Sequence, residues 1–279
     1  MIYDCFPYNG ETDLLEIRLN HHNSFVDKFV ISEATYTYSG IPKPLYYDEI
    51  KNLPTFYRFK DKIIHIIFDT PPTEENKGWF YEISQRNSLL SLLPEFTDSD
   101  LILYLDCDEI IRNKSVIDIT IRHPDVLVNL DMDMLWYYLN CKKDPDSKYA
   151  SDYSMEECFQ GRWHMGKICR KLHLEMFREN LYAIREYFVE YPEYLFTIFD
   201  SGWHFSNLGD PNKIYNKFNA FSHYNEFNKK YKLSPKLIEE RKRNLIDPLG
   251  RDIKLIKTEI LDVPQYVIDN KERFKNYIL

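Results

Sequence analysis

Apolar positions in the first hundred residues switch repeatedly between a strand-like and a helix-like spacing. Residues 2–6 form a short apolar run that predicts a strand. Over residues 11–22, Leu14, Leu15, Ile17 and Leu19 give one apolar side and predict a helix, with Asn9 placed to cap it. Residues 25–32 read as a second strand. Residues 35–55 carry Gly40, Pro42, Pro44 and Pro54 and predict a loop. A third strand is expected over 62–68, ended by Asp69 and Pro71-Pro72, then a helix over 79–93. Residues 101–105 are wholly apolar, which predicts a strand buried on both faces. This order is that of a parallel α/β sheet, in which ligands sit beyond the carboxyl ends of the strands.

After residue 125 the pattern changes. A long, partly alternating strand is predicted over 126–139, a polar loop over 142–156, and a helix-rich tail from about 212. The sequence shows no repeat, low-complexity tract or flexible linker, so residues 1–279 are expected to form one domain. Its hydrophobic and charged fractions, 44% and 29%, are ordinary for a globular chain. Net charge is −8 with no basic stripe, which argues against a nucleic-acid partner. Five cysteines, an odd count at loose spacing, give no disulfide framework and point to a reducing compartment. No basic leader and no run of 18 apolar residues is visible, so no membrane span and a cytoplasmic location are expected.

Asp-x-Asp occurs four times, and only context separates the copies. Asp98/Asp100 lies at the amino end of a strand. Asp144/Asp146 flanks Pro145 in a polar loop. Asp131/Asp133 lies inside a strand, with its carboxylates on the face opposite Leu130, Met132 and Met134. Asp106/Asp108 alone closes a buried strand at its carboxyl end. Two carboxylates there repel unless a cation joins them. Oxygen ligands with open positions suit Mn²⁺ or Mg²⁺, which can stabilise the charge on a departing diphosphate. A capped turn with two exposed aspartates is the plainer explanation. A phosphotransferase or phosphatase using the first Asp as nucleophile would also carry such a pair, and a non-catalytic sugar-binding module could retain one.

Several blocks in order resemble glycosyltransferase family 17. They are Tyr3-Asp4-Cys5-Phe6, residues 11–19, residues 30–37 with Gly40 and Lys43-Pro44-Leu45, Gln85-Arg86-Asn87, Asp106-Cys107-Asp108-Glu109-Ile110, residues 201–206, and Phe221-Ser222-His223. The resemblance implies an α/β fold of GT-A type, with a mostly parallel Rossmann-like sheet flanked by helices. Residues 1–110 would form the nucleotide-sugar half and 111–279 the acceptor side. It further implies a UDP-N-acetylglucosamine donor, a divalent metal, a glycan acceptor and an inverting reaction.

Under this resemblance Asp108 is expected to contact the metal, Asp106 the ribose or the metal shell, and His204 to be a third metal ligand. Phe6, Tyr8, Asn9 and Glu33 follow the first two strands and are expected to border the nucleotide. Arg86 is expected to grip phosphate or sugar oxygens, or else to pair with Glu82 four residues earlier. An inverting transfer needs a general base. Asp200 is the first expectation for it, with Glu186 and Glu157 behind. Trp163 and Trp203 could stack on sugar rings or pack in the core.

Overall fold

The computed structural model describes residues 1–75, 77–147, 161–190, 195–222, 230–251, 253–260 and 262–279. Glu157 and His223 lie outside them. The chain opens β1 (Ile2–Tyr8), α1 (Thr12–His22), β2 (Lys28–Ala34), β3 (Ile63–Phe68), and both β1–β2 and β2–β3 are parallel. Two short helices, α2 (Tyr46–Ile50) and α3 (Pro54–Tyr57), interrupt the stretch expected to be loop. Pro54 stands at the first turn of α3, where its missing N–H costs nothing. The helix α4 (Trp79–Asn87) is shorter than the 79–93 expected, and a 3₁₀ segment (Ser88–Glu95) containing Pro94 continues it. Strand β4 (Leu101–Tyr104) is buried throughout and pairs in parallel with β1.

The sheet becomes mixed beyond this point. After β5 (Glu109–Ile111) and α5 (Lys114–Ile121) come the long β6 (Leu127–Trp136), β7 (Cys141–Lys143), β8 (Arg162–Trp163) and β9 (Lys167–Cys169). Strand β9 lies between β4 and β6, antiparallel to both, and joins the two halves into one sheet. Helices α6 (Lys171–Met176) and α7 (Tyr182–Glu190) lead to β10 (Leu195–Ser206), which is parallel to β6 and antiparallel to β5. The remainder is α8 (Pro211–Ala220), α9 (Pro235–Arg243), β11 (Leu255–Lys257), α10 (Gln265–Asp269) and α11 (Lys271–Phe274), in agreement with the helix-rich tail expected. The α/β class holds, with a sheet that is parallel only in its first half apart from the β6–β10 pair.

Core layers follow the strand alternation. On one face, Phe6, Phe29 and Ile31 pack with Leu15, Ile17 and Leu19 of α1 and with Val267 and Phe274 of the tail. On the other, Tyr3, Cys5, Ile102 and Tyr104 meet Leu89 of the 3₁₀ segment, Leu174 of α6 and Ile184 of α7. Ile214 and Phe218 seat α8 on Met134 and Trp136 at the end of β6. Cys5, Cys107, Cys141 and Cys169 are buried free thiols. Among the described residues no helix is long and apolar enough to cross a membrane.

Candidate active site

The turn between β4 and β5 carries Asp106, Cys107 and Asp108 at the carboxyl ends of β1 and β4, where an α/β sheet places its ligands. A buried cation fixes that turn from below. Arg18 of α1, fully buried, grips both oxygens of Asp4 and donates from Nη1 to the carbonyls of Asp106 (2.8 Å), Cys107 and Glu109. His22 completes the anchor: its Nδ1 is 2.8 Å from Asp4, and its Nε2 accepts the Ile111 N–H at 3.0 Å. Gly202 fixes the turn's outer strand, because a Cβ there would fall 2.2 Å from the Ile110 carbonyl oxygen.

Each carboxylate of the motif has different partners. Asp106 accepts Arg86 Nη2 on Oδ1 and Arg185 Nη2 on Oδ2, both at 2.8 Å. Asp108 accepts Lys217 Nζ on Oδ2 at 2.8 Å, and its Oδ1 lies 3.5 Å from His204 Nε2. Burial alone would raise the Asp108 pKa; Lys217 and His204 overcome this and hold it well below the ordinary carboxylate value. The same pairing raises the Lys217 pKa against its own burial, with Asp108 and Glu11 as the anions responsible. Glu109, fully buried, receives both Arg185 nitrogens, the Trp163 Nε1–H and the Asp106 backbone N–H. Burial pushes its pKa up, but Arg185 first, then His204 and the Trp163 bond, bring it down to about 2.

His204 is stacked on Trp163, with ring centroids 4.2 Å apart and planes 25° from parallel. Its Nδ1 is buried without a hydrogen-bond partner, so its tautomer depends on what Nε2 meets. Asp108 and His204 therefore present a carboxylate oxygen and an imidazole nitrogen within reach of one cation. This donor pair fits Mn²⁺ or Mg²⁺, which commonly take one or two protein carboxylates and fill their shell with water and substrate phosphate. Asp106 does not join them in this arrangement, since both its oxygens face guanidinium groups. No cluster of three or more potential ligands is formed among the described residues.

The turn opens into a cavity of about 160 Å³, lined by Tyr8, Asn9, Lys43, Arg86, Asp106 and Asp108 among others. Of the expected nucleotide-side residues, Tyr8, Asn9 and Arg86 line it. Phe6 does not: it is 2% exposed, with the Arg18 guanidinium 4.3 Å over its ring. Glu33 is a correction as well. It is fully buried and accepts the Tyr46 N–H at 2.6 Å and the Tyr47 N–H at 3.2 Å, with His65 Nε2 at 3.1 Å. It holds the start of α2 and does not face the cavity. Asn9 is not the helix cap either; Glu11 takes that position and accepts the Asn9 backbone N–H.

Arg86 takes the second of the two roles expected of it, the pairing with Glu82. Its Nε and Nη2 bind Glu82 at 3.0 and 2.7 Å while Nη2 also binds Asp106, and its Nη1 is buried without a partner. The expected bases fare less well. Asp200 sits at the irregularity in the β6–β10 pairing, mostly exposed, 3.0 Å from Arg162. Its backbone is left-handed (φ 50°), and its described side-chain partner is Arg162, not the Asp108–His204 pair. Glu186 is half-buried on α7 and lines neither described cavity. Trp203 is core and donates to the Asp262 carbonyl.

Arg18, Arg185 and Lys217 hold the candidate site but no local pattern reveals them, since each reaches the turn from a helix remote in sequence. Glu109 carried a signal, being part of the same acidic run.

An acidic, cation-ringed turn at the carboxyl ends of the strands lies where an α/β sheet binds its ligands. The chain belongs to glycosyltransferase family 17, whose model matches residues 1–157. It is 31% identical over 114 residues to a beta-1,4-mannosyl-glycoprotein 4-beta-N-acetylglucosaminyltransferase of Homo sapiens, covering 39% of this chain and 21% of that one. The Mus musculus protein of the same name is 30% identical over the same length and coverage. The match thus spans about a fifth of the length of these curated relatives. Among solved structures, the chain is similar to a 4-diphosphocytidyl-2C-methyl-D-erythritol synthase (13% identity, TM-score 0.44, 77% of this chain and 96% of that one). It is also similar to a Francisella tularensis 2-C-methyl-D-erythritol 4-phosphate cytidylyltransferase (11%, 0.42, 77% and 97%).

Proposed function

We propose that this protein is an inverting glycosyltransferase of GT-A type that transfers N-acetylglucosamine from UDP-N-acetylglucosamine to a glycan hydroxyl with the help of Mn²⁺ or Mg²⁺. The observation that carries this reading is the Asp106–Asp108 turn at the end of β4, facing a cavity that Arg86, Lys43 and Lys217 also line. The donor sugar and the glycan acceptor rest on the names of the relatives above. A cytoplasmic, reducing location suits the four buried free thiols.

In this mechanism Tyr8 and Asn9 border the nucleotide. Asp108 and His204 would hold the divalent ion, which when bound supplies positive charge to the leaving diphosphate. Arg86 and Arg185 orient Asp106 and add fixed positive charge in a site screened from water, where it counts more than in solution. The free Nη1 of Arg86 is available to a phosphate or sugar oxygen. Lys217, bonded to the other oxygen of Asp108, would add the charge of its ammonium group beside the diphosphate.

Phosphoryl transfer would need Asp106 as a free nucleophile, and both its oxygens are engaged by guanidinium groups. UDP release from UDP-N-acetylglucosamine with Mn²⁺, measured for wild type and Asp108→Ala, tests the proposal. Wild-type release that the variant lacks supports it; equal rates remove Asp108 from the reaction.

A further inference from the structure

Resting on the glycosyl-transfer reading, we propose that a second cavity beside the carboxylate turn receives the acceptor sugar, and that Glu11, at the junction of the two cavities, is the general base. The second cavity is the larger, about 430 Å³, within the range that encloses a small ligand. It shares Asn9, Glu11, Thr37, Lys217 and Ala220 with the carboxylate cavity, so a group in one borders a group in the other.

The lining differs in kind. Asn9, Asn207, Asn216 and Asn219 bring amides, and Tyr46 and Tyr277 bring rings. Its charged groups balance: Asp13 lies 3.6 Å from Lys213, and Glu11 faces Lys217. Such a wall selects neither an anion nor a cation. Amide donors and acceptors beside aromatic faces suit a neutral, hydroxyl-rich ligand. The Asn9 and Asn216 side-chain amides make no hydrogen bond among the described residues, and Asn216 is exposed on α8. Gly10, at φ 91°, lets the Tyr46 ring close on the cavity wall; a Cβ there would fall 3.0 Å from Tyr46 Cδ2.

Glu11 lies where a reacting hydroxyl would meet a sugar held over the turn. Its Oε2 accepts the Asn9 N–H at 2.9 Å. Lys217 from α8 and Asp108 from the turn face it, with Lys43, Tyr46 and Cys107 also within electrostatic reach. Half-buried at the junction, its carboxylate borders both cavities. As the acceptor O–H proton passes to the Glu11 carboxylate, the oxygen forms its bond to the anomeric carbon. The bond from that carbon to the diphosphate oxygen breaks, its electron pair leaves on UDP, and Glu11 later returns the proton to solvent.

Two measurements test this. An array of neutral and sulfated oligosaccharides is probed with wild type and with Asn216→Trp, which fills the cavity from an exposed helix position. Retention of neutral glycans, weakened at least tenfold by Asn216→Trp, is expected. Retention of sulfated glycans alone, no retention, or no effect of the tryptophan overturns the acceptor site. In the second, Glu11→Gln is expected to slow UDP release from UDP-N-acetylglucosamine at least 100-fold and to remove the acid limb of the pH–rate profile. The UDP-induced rise in melting temperature should stay unchanged. A retained rate, or loss of UDP binding alongside the rate, overturns the base assignment. Absence of UDP release by the wild type would sink the glycosyl-transfer reading, and the base assignment with it, while the array would still decide the cavity.

Discussion

Two Asp-x-Asp pairs in this chain have similar chemistry and opposite fates. Asp131 and Asp133 lie within β6 and are covered by one arginine: Arg162 binds both oxygens of Asp131, at 2.9 and 2.7 Å, and also Asp133. Arg112 adds a contact to Asp133 at 3.2 Å, and His164 Nε2 lies 3.4 Å from Asp131. Neither aspartate lines a described cavity. Asp106 and Asp108 stand just past the end of a strand, where the chain turns, so their partners arrive from three different helices and from β10 and leave a cavity between them. Neutralisation alone does not distinguish a site from a structural knot. The difference is whether the carboxylates occupy a continuing strand, where neighbours close over them, or its end.

The largest effect expected comes from beneath the active turn. Glu109→Ala strands the buried Arg185 charge and should cost about 3–5 kcal/mol in denaturant unfolding. Because the Glu109 pKa is about 2 in the folded protein against an ordinary 4.5, its stabilisation is complete above 4.5 and fades as pH falls toward 2. The wild type should therefore lose stability on acidification through this window more steeply than Glu109→Gln; parallel curves would contradict the ion pair.

Next, Asp108→Ala should reduce UDP-sugar turnover about 10²–10³-fold, or roughly 2.7–4 kcal/mol of barrier. Asp133→Asn should stay within about threefold of wild type, and an equal loss in both would erase the distinction between the two pairs. A saturating Mn²⁺–UDP mixture should stabilise the wild type by about 2.7 kcal/mol at 100 times its dissociation constant, read as a rise in melting temperature. That rise should survive in Asp133→Asn and vanish in Asp108→Ala. A smaller loss than that of Asp108→Ala is expected for Arg86→Lys, about tenfold in donor KM, since lysine lacks the fork that spans Glu82 and Asp106.

Much of the first half was readable from periodicity, because β1, α1, β2 and β4 each bury a set of apolar residues and the half-buried edge strand β3 is a run of Ile and Phe broken only by His65. The position of Asp106 and Asp108 followed from the run of apolar residues before them. Two boundaries shifted: the regular helix stops at Asn87 and continues as a 3₁₀ segment, and Lys28 rather than Phe25 begins β2. The antiparallel insertion of β9 was not readable, since three residues carry too little pattern. Glu33 misled for a physical reason: a carboxylate after a strand can serve a ligand or the N–H groups of the next helix, and only the fold tells which. Lys217 and Arg185 were hidden because long cationic side chains on helices look like solvated surface until something places an acid within their reach.

The position of β9 bears on the order of synthesis. The carboxylate turn leaves the ribosome with the first 110 residues, but its partners Arg185, His204 and Lys217 follow some 75 to 110 residues later. The strand that joins β4 to β6 likewise emerges only after residue 167. For that interval the nascent chain carries Asp106 and Asp108 with none of those three partners, so the turn is completed late, in the last third of translation.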